Sequence, residues 1–136
     1  MLPVVTDTNT LFSALLGRGS RFSETVSASE RQFYAGELAL TELFKHKERI
    51  VEHSRLSEEE VVALYYKLVR KINLHKEDLI APEHRRRAYE LCHDIDETDT
   101  PHVALVFELD GELWTGDKKL KEGLREKGFD RFFEPE

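Results

Sequence analysis

The sequence predicts a three-layer α/β/α domain around a central, mostly parallel sheet, and three observations carry that reading. Short apolar runs alternate with segments of helical period along the whole chain, an order that lays helices on both faces of a parallel sheet. One segment, His102 to Leu109, is apolar almost all round except at Glu108, as a helix buried in the centre of a domain should be. The chain has 136 residues, 40% of them hydrophobic, enough for one ordinary domain with a real core and no obvious linker or internal repeat. A single domain over residues 1–136 is therefore expected.

Leu2 to Val5 reads as a first strand ending at a polar turn, and Leu11, Phe12, Leu15 and Leu16 follow at helical spacing. Gly17 to Ser20 is expected to break that helix, with Phe22 and Val26 on a second short one. Gln32 to Ala35 can be a strand before Gly36. About Glu37 to Glu52, one helix is expected, with Leu40, Leu43, Phe44 and Val51 on one face and Glu42, Lys45, His46 and Arg49 on another. Ser57 with Glu60 three residues on forms a capping box, opening a helix whose stripe is Val61, Leu64, Tyr65, Leu68, Val69 and Ile72. Val62 and Tyr66 fall outside that stripe yet adjoin each other on the surface, either as a contact for another chain or as the margin of a wide stripe.

Asn73 to Ile80 can hold a short edge strand, and Pro82 suits the first turn of a helix running to about His93. After the acidic loop Asp94 to Asp99 and the buried helix, Asp110-Gly111 is a turn, Glu112 to Thr115 a strand, Lys118 to Lys127 a helix closed by Gly128, and Arg131 to Phe133 a last strand.

A single cysteine, Cys92, cannot form an internal disulfide, and without a C-x-x-C pair there is no zinc framework; a reducing cytoplasm is the natural setting. No run is long enough to cross a bilayer, and the N-terminus lacks a basic stretch followed by an apolar one. The net charge of -7 argues against a general polyanion binder. Basic clusters occur even so, at Lys45-His46-Lys47 with Arg49, at Arg85-Arg86-Arg87, and at Lys118-Lys119 with Lys121; each is more simply a solvated helix face.

Four short acidic signatures carry the functional signal: Thr6-Asp7-Thr8-Asn9, Thr41-Glu42-Leu43, Thr98-Asp99-Thr100-Pro101 and Thr115-Gly116-Asp117. In a parallel sheet the ligand site lies beyond the carboxyl ends of the strands, near a switch in strand order. Asp7 and Asp117 follow strands, Asp99 opens the buried helix and Glu42 lies in the early turns of another, so four carboxylates can meet in one cleft. They would repel one another unless divalent cations lay between them. Two such ions would neutralise all four acids and remove more than half of the chain's negative excess.

The segments Val4 to Leu11, Glu42 in its helix, Asp99 to Leu105 and Leu113 to Leu120 resemble, in that order, the PIN-domain nucleases, and among them the small VapC-type toxins of prokaryotic toxin–antitoxin pairs. The resemblance implies a PIN-like fold in which Asp7, Glu42, Asp99 and Asp117 form a catalytic quartet that binds Mg²⁺ or Mn²⁺. Asn9 and Thr115 match supporting positions that would orient the carboxylates or a water, while Asp96 could share the third position with Asp99. It further implies cleavage of single-stranded RNA to products with a 5′-phosphate and a free 3′-hydroxyl. One metal ion would activate water and a second would stabilise the leaving oxygen. A homodimer or an antitoxin protein is an expected partner, with the contact placed on the helix bearing Val62 and Tyr66.

Three of the four acids also have a plain structural reading: Asp99 and Asp117 as helix caps, and Glu42 as the partner of Lys45 or His46. His102 is expected to be a hydrogen-bonded structural residue rather than a substrate contact, and Tyr34, Tyr65 and Trp114 to be core rather than base-stacking platforms. A haloacid-dehalogenase-type phosphatase is the enzymatic alternative, since Asp7-Thr8-Asn9-Thr10 and Thr115-Gly116-Asp117 resemble its motifs. That family has a second aspartate where Asn9 stands and a further one where this chain has Lys118 to Lys121. A catalytically silent PIN-like interaction module is the alternative of another class.

Overall fold

A computed structural model describes residues 1–135 and shows a four-stranded sheet between two layers of helices. The strands are β1 (Val4–Thr6), β2 (Phe33–Gly36), β3 (Asn73–His75) and β4 (Glu112–Trp114), in the order β3-β2-β1-β4, and every pairing is parallel. The chain leaves β1 toward β2 on one side, whereas β4 joins β1 on the other, so the order switches between β1 and β4. That is where an open parallel sheet forms its crevice.

The alternation of strand side chains decides which layer each residue serves. Val4 and Trp114 point into one core with Leu11, Leu15, Phe33, Leu40, Leu43, Ile50, Val61 and Leu68. Val5 and Leu113 point into the other, with Ala88, Cys92, Val103, Val106, Leu120 and Leu124. Burying each such Val, Leu or Phe contributes roughly 1.5–3 kcal/mol before chain entropy is set against it. The first layer holds α1 (Thr8–Ser13), α2 (Gly19–Ala28), α3 (Glu37–Lys45), α4 (Lys47–His53) and α5 (Glu58–Lys71); the second holds α6 (Pro82–Cys92), α7 (Thr100–Leu109) and α8 (Lys118–Glu126).

Several elements form as their sequences dictate. Ser57 and Glu60 make the reciprocal capping box of α5. Pro82 stands in the first turn of α6. Residues 102 to 107 of α7 are all buried, as the apolar run required. Gly128, at φ 89°, lies just past the end of α8, where only a residue tolerant of a left-handed backbone fits. Trp114 is core: its ring stacks on Phe22 at 5.3 Å and meets Phe33 and Phe133 edge-on. Tyr65 is half-buried and donates its hydroxyl to Leu40 O.

Three expectations need correction. Gly17 to Ser20 do not end the first helix. The backbone widens into a π turn over Ala14–Arg18 and resumes as α2, and such a turn absorbs an extra residue without interrupting the helical course. The single helix expected over residues 37–52 is divided at His46, whose N–H is shared between Glu42 O and Leu43 O and so tightens the last turn of α3. The last strand is reduced to one parallel bridge, Leu113 with Phe132.

Candidate active site

Asp7 follows β1 directly, and its own N–H donates across the switch point to Trp114 O at the end of β4 (3.2 Å). The side chain caps α1: Thr10 N–H donates to Asp7 Oδ1 at 2.8 Å. The carboxylate is almost wholly enclosed, at 1% exposure, and its second oxygen, Oδ2, has no hydrogen-bond partner. A buried carboxylate oxygen left without a donor is costly unless an ordered water or a cation meets it.

Asp117 occupies the matching place after β4. Leu120 N–H donates to its Oδ1 (3.0 Å), which caps α8 and leaves the other oxygen outside that bond. Thr115, buried, fixes the turn by accepting the Asp117 N–H on its hydroxyl (3.2 Å). The structural role foreseen for Asp117 is thus real, and it also holds the carboxylate still.

Asp99 behaves differently. It stands at the N-cap of α7 but makes no capping bond with its side chain. Burial first, and then the charges of Asp7, Asp96 and Asp117, push its carboxyl up to about 7. These three acids therefore act on one carboxyl, and that carboxyl is difficult to ionise without a compensating positive charge. Asp96 is exposed and occupied elsewhere, since its Oδ1 accepts from both Thr98 N–H (3.0 Å) and Thr98 Oγ1 (2.6 Å).

Glu42 is exposed on α3 and lines a cleft with Thr8, Lys45, Pro101 and His102. Among the described residues it forms no ion pair with Lys45 or His46, so the pairing that helical spacing suggested is not made. It is not among the charges that raise Asp99, and none of the three aspartates lines the cleft that it borders. Asn9 is exposed on the first turn of α1. His102 is buried, as expected of a structural histidine; its Nε2 is in hydrogen-bond contact with Thr8 Oγ1 at 3.2 Å, and burial holds its basicity below the usual value against the opposing pull of Asp7. It also borders the cleft.

Among the described residues, no three His, Cys, Asp or Glu side chains are grouped tightly enough to enclose a metal ion as they stand. Asp7 and Asp117 each turn one oxygen to the first turn of their own helices. The donor set nevertheless suits a hard divalent cation, because it consists of carboxylate oxygens and includes the orphaned Asp7 Oδ2.

The fold is similar to that of PAE2754 from Pyrobaculum aerophilum in its crystal structure, with a TM-score of 0.62 at 12% identity over 90% of this chain and 79% of that one. No curated protein matches the chain. No described helix is long and apolar enough to cross a membrane. A family model described as the PIN domain matches residues 5–132, from the middle of β1 to the bridge at Phe132, and the chain belongs to the PIN domain family.

Proposed function

We propose that the protein is a divalent-metal-dependent endoribonuclease that hydrolyses phosphodiester bonds in single-stranded RNA, with residues 1–136 as one nuclease domain. PIN domains are generally nucleases and generally use divalent metals. The observation that carries the reading is the unpartnered Oδ2 of Asp7 beside an Asp99 carboxyl raised to about 7 by burial and by its acidic neighbours.

Asp7, Asp99 and Asp117, with Glu42 from α3, would hold Mg²⁺ or Mn²⁺. When bound, such ions supply an activated water and charge neutralisation at phosphorus. The chain does the rest by position. The helix-capping bonds of Asp7 and Asp117 restrict their side chains, which lowers the cost of ordering them. His102, whose basicity burial depresses, holds Thr8 in the cleft through their hydrogen-bond contact. Lys45 supplies a cation on the same wall as Glu42, suited to a phosphate of the RNA backbone. Asn9, Thr115 and Asp96 support the set from around it.

A cytoplasmic toxin of a toxin–antitoxin pair is the biological setting we favour, with a homodimer or antitoxin contact at Val62 and Tyr66. Tyr66 is 60% exposed, and together with Phe44, Tyr65 and Val62 it borders an apolar groove between α4 and α5. The double change Val62→Glu and Tyr66→Glu should leave the protein folded and convert a dimer to monomers in light scattering. Equal masses for parent and variant would show that this patch has no role in self-association and leave only a partner protein to explain it.

The test of the activity is cleavage of an end-labelled single-stranded RNA by purified protein. Cleavage should stop in chelator and return with Mg²⁺ or Mn²⁺, while Zn²⁺ should restore little because no His or Cys joins the carboxylates. Undiminished cleavage in chelator would reject the reading.

A further inference from the structure

The helix that carries Glu42 begins without a side-chain cap of its own. The first N–H groups of any helix lack intrahelical partners and are usually met by Ser, Thr, Asp or Asn at the position before the first turn. Here that position is Gly36, which has no side chain to offer. The donor is met from elsewhere: Leu38 N–H donates to the carboxylate of Glu77, at 3.1 Å to Oε2 and 3.4 Å to Oε1. Glu77 opens the 3₁₀ turn Glu77–Leu79 just beyond β3, and the parallel register that pairs Gly36 with His75 brings that turn beside the start of α3. A carboxylate is also the side chain that the positive end of a helix dipole favours.

Gly36 is fitted to this arrangement. Its φ of -71° is available to any residue, so no backbone conformation demands glycine. A Cβ there would lie 2.3 Å from Glu77 Oε2 and 2.7 Å from Glu77 Cδ. A side chain there would have to displace the carboxylate end of the flexible Glu77 side chain. Glu77 lines the same cleft as Glu42, Thr8 and His102, yet its oxygens are turned to the helix end.

We propose that Glu77 is a positioning residue for the acidic cleft: by capping α3 from the neighbouring edge strand, in space left by Gly36, it fixes the helix that brings Glu42 to the site. This deepens the metal-nuclease reading and rests on it. Glu42 stands apart from the three aspartates, so its contribution to metal affinity depends on where α3 is held.

The test is calorimetric titration with Mn²⁺ of the parent, Glu77→Ala, Glu77→Gln, Gly36→Ala and the double variant Glu77→Ala/Gly36→Ala. All are taken at a temperature where circular dichroism shows them folded. Removing a residue that orients a ligand should weaken Mn²⁺ binding by about tenfold, so that loss is expected for Glu77→Ala. Glu77→Gln, which keeps an oxygen acceptor for Leu38 N–H, should stay near the parent. Gly36→Ala should weaken binding by displacing the carboxylate, and the double variant should be no worse than the poorer single one, because the two changes break the same contact.

A folded Glu77→Ala protein with parental Mn²⁺ affinity overturns the inference alone. A parent that binds no Mn²⁺ overturns both the inference and the reading beneath it. If Glu77→Ala does not fold, Glu77→Gln and Gly36→Ala decide: parental affinity in Gly36→Ala rejects the role, whereas weakened binding beside a near-parental Glu77→Gln supports it.

Discussion

The two ends of α7 hold acids in opposite circumstances. At its C-terminal end, Glu108 accepts from Ala81 N–H (2.7 Å) and meets His84 Nδ1 at 3.1 Å, and these contacts hold its carboxyl below the usual range. Its neighbours at that edge of the sheet are satisfied in the same way: Arg31 pairs with Glu112 at the start of β4, and Arg131 with Asp110. At the N-terminal end, Asp99 meets no cation among the described residues and is raised to about 7 by burial and three other aspartates. One helix thus joins an edge where each of these acids has a cationic or histidine partner to an edge where Asp7 and Asp117 are met by helix-capping N–H groups and Asp99 makes no capping bond. The difference contrasts charge that the fold itself compensates with charge that, on the proposed metal-nuclease reading, a bound cation would compensate, and only the second costs stability in the absence of that cation.

The largest expected effect at the strained end is on activity. Asp7→Asn preserves shape and can keep the bond from Thr10 N–H, but removes the charge beside the orphaned oxygen. RNA cleavage should fall by more than about 100-fold, beyond what the loss of a supporting residue brings, with the protein still folded. Full cleavage by a folded, contaminant-free variant would break the comparison.

A smaller effect, on stability, follows from Asp99. Its folded-state carboxyl titrates above its unfolded one, so the native state binds the extra proton, and the associated stability is present at low pH and lost as pH rises from about 4 through 7. In chelator, Asp99→Asn should therefore become progressively more stable than the parent over that window, by up to about 4 kcal/mol. Urea denaturation at several pH values reads this difference. A difference that stays flat with pH would show that the aspartates do not burden one another.

Glu108 should give the smallest effect, with the opposite sign. Its depressed carboxyl contributes stability that is present above the unfolded value and lost as pH falls through the folded one. It is partly exposed, so Glu108→Gln should cost under about 1 kcal/mol near pH 7. It should leave RNA cleavage unchanged. A loss of cleavage comparable with Asp7→Asn would mean that the two ends are not separate.

Much of this was legible in the chain because it is local. Ser57 with Glu60, Pro82, Gly128 and the all-apolar face of α7 act within a few residues of themselves. Asp7, Asp99 and Asp117 could also be placed, since a parallel sheet sends the ends of its strands to one edge. What stayed hidden depends on contacts across the sheet. Glu77 sits in an ordinary polar turn, and only the pairing of Gly36 with His75 brings it to α3. His102 reads as one polar interruption in a buried helix, and nothing in its spacing points to Thr8, 94 residues away. The π turn at Ala14–Arg18 was equally hidden, because Gly17 and Gly19 signal a break by propensity while the surrounding helices hold the course.

The central claim is that the aspartates at the switch point between β1 and β4 exist to hold a divalent cation. Calorimetric titration of the parent with Mn²⁺ between pH 6 and 8 tests it most directly. The raised Asp99 carboxyl requires binding to tighten with pH and to release protons, because the metal displaces the proton from that carboxyl. Asp7→Asn should bind far more weakly at every pH. Absence of Mn²⁺ binding at millimolar concentration, or binding equal in parent and Asp7→Asn, would contradict the account.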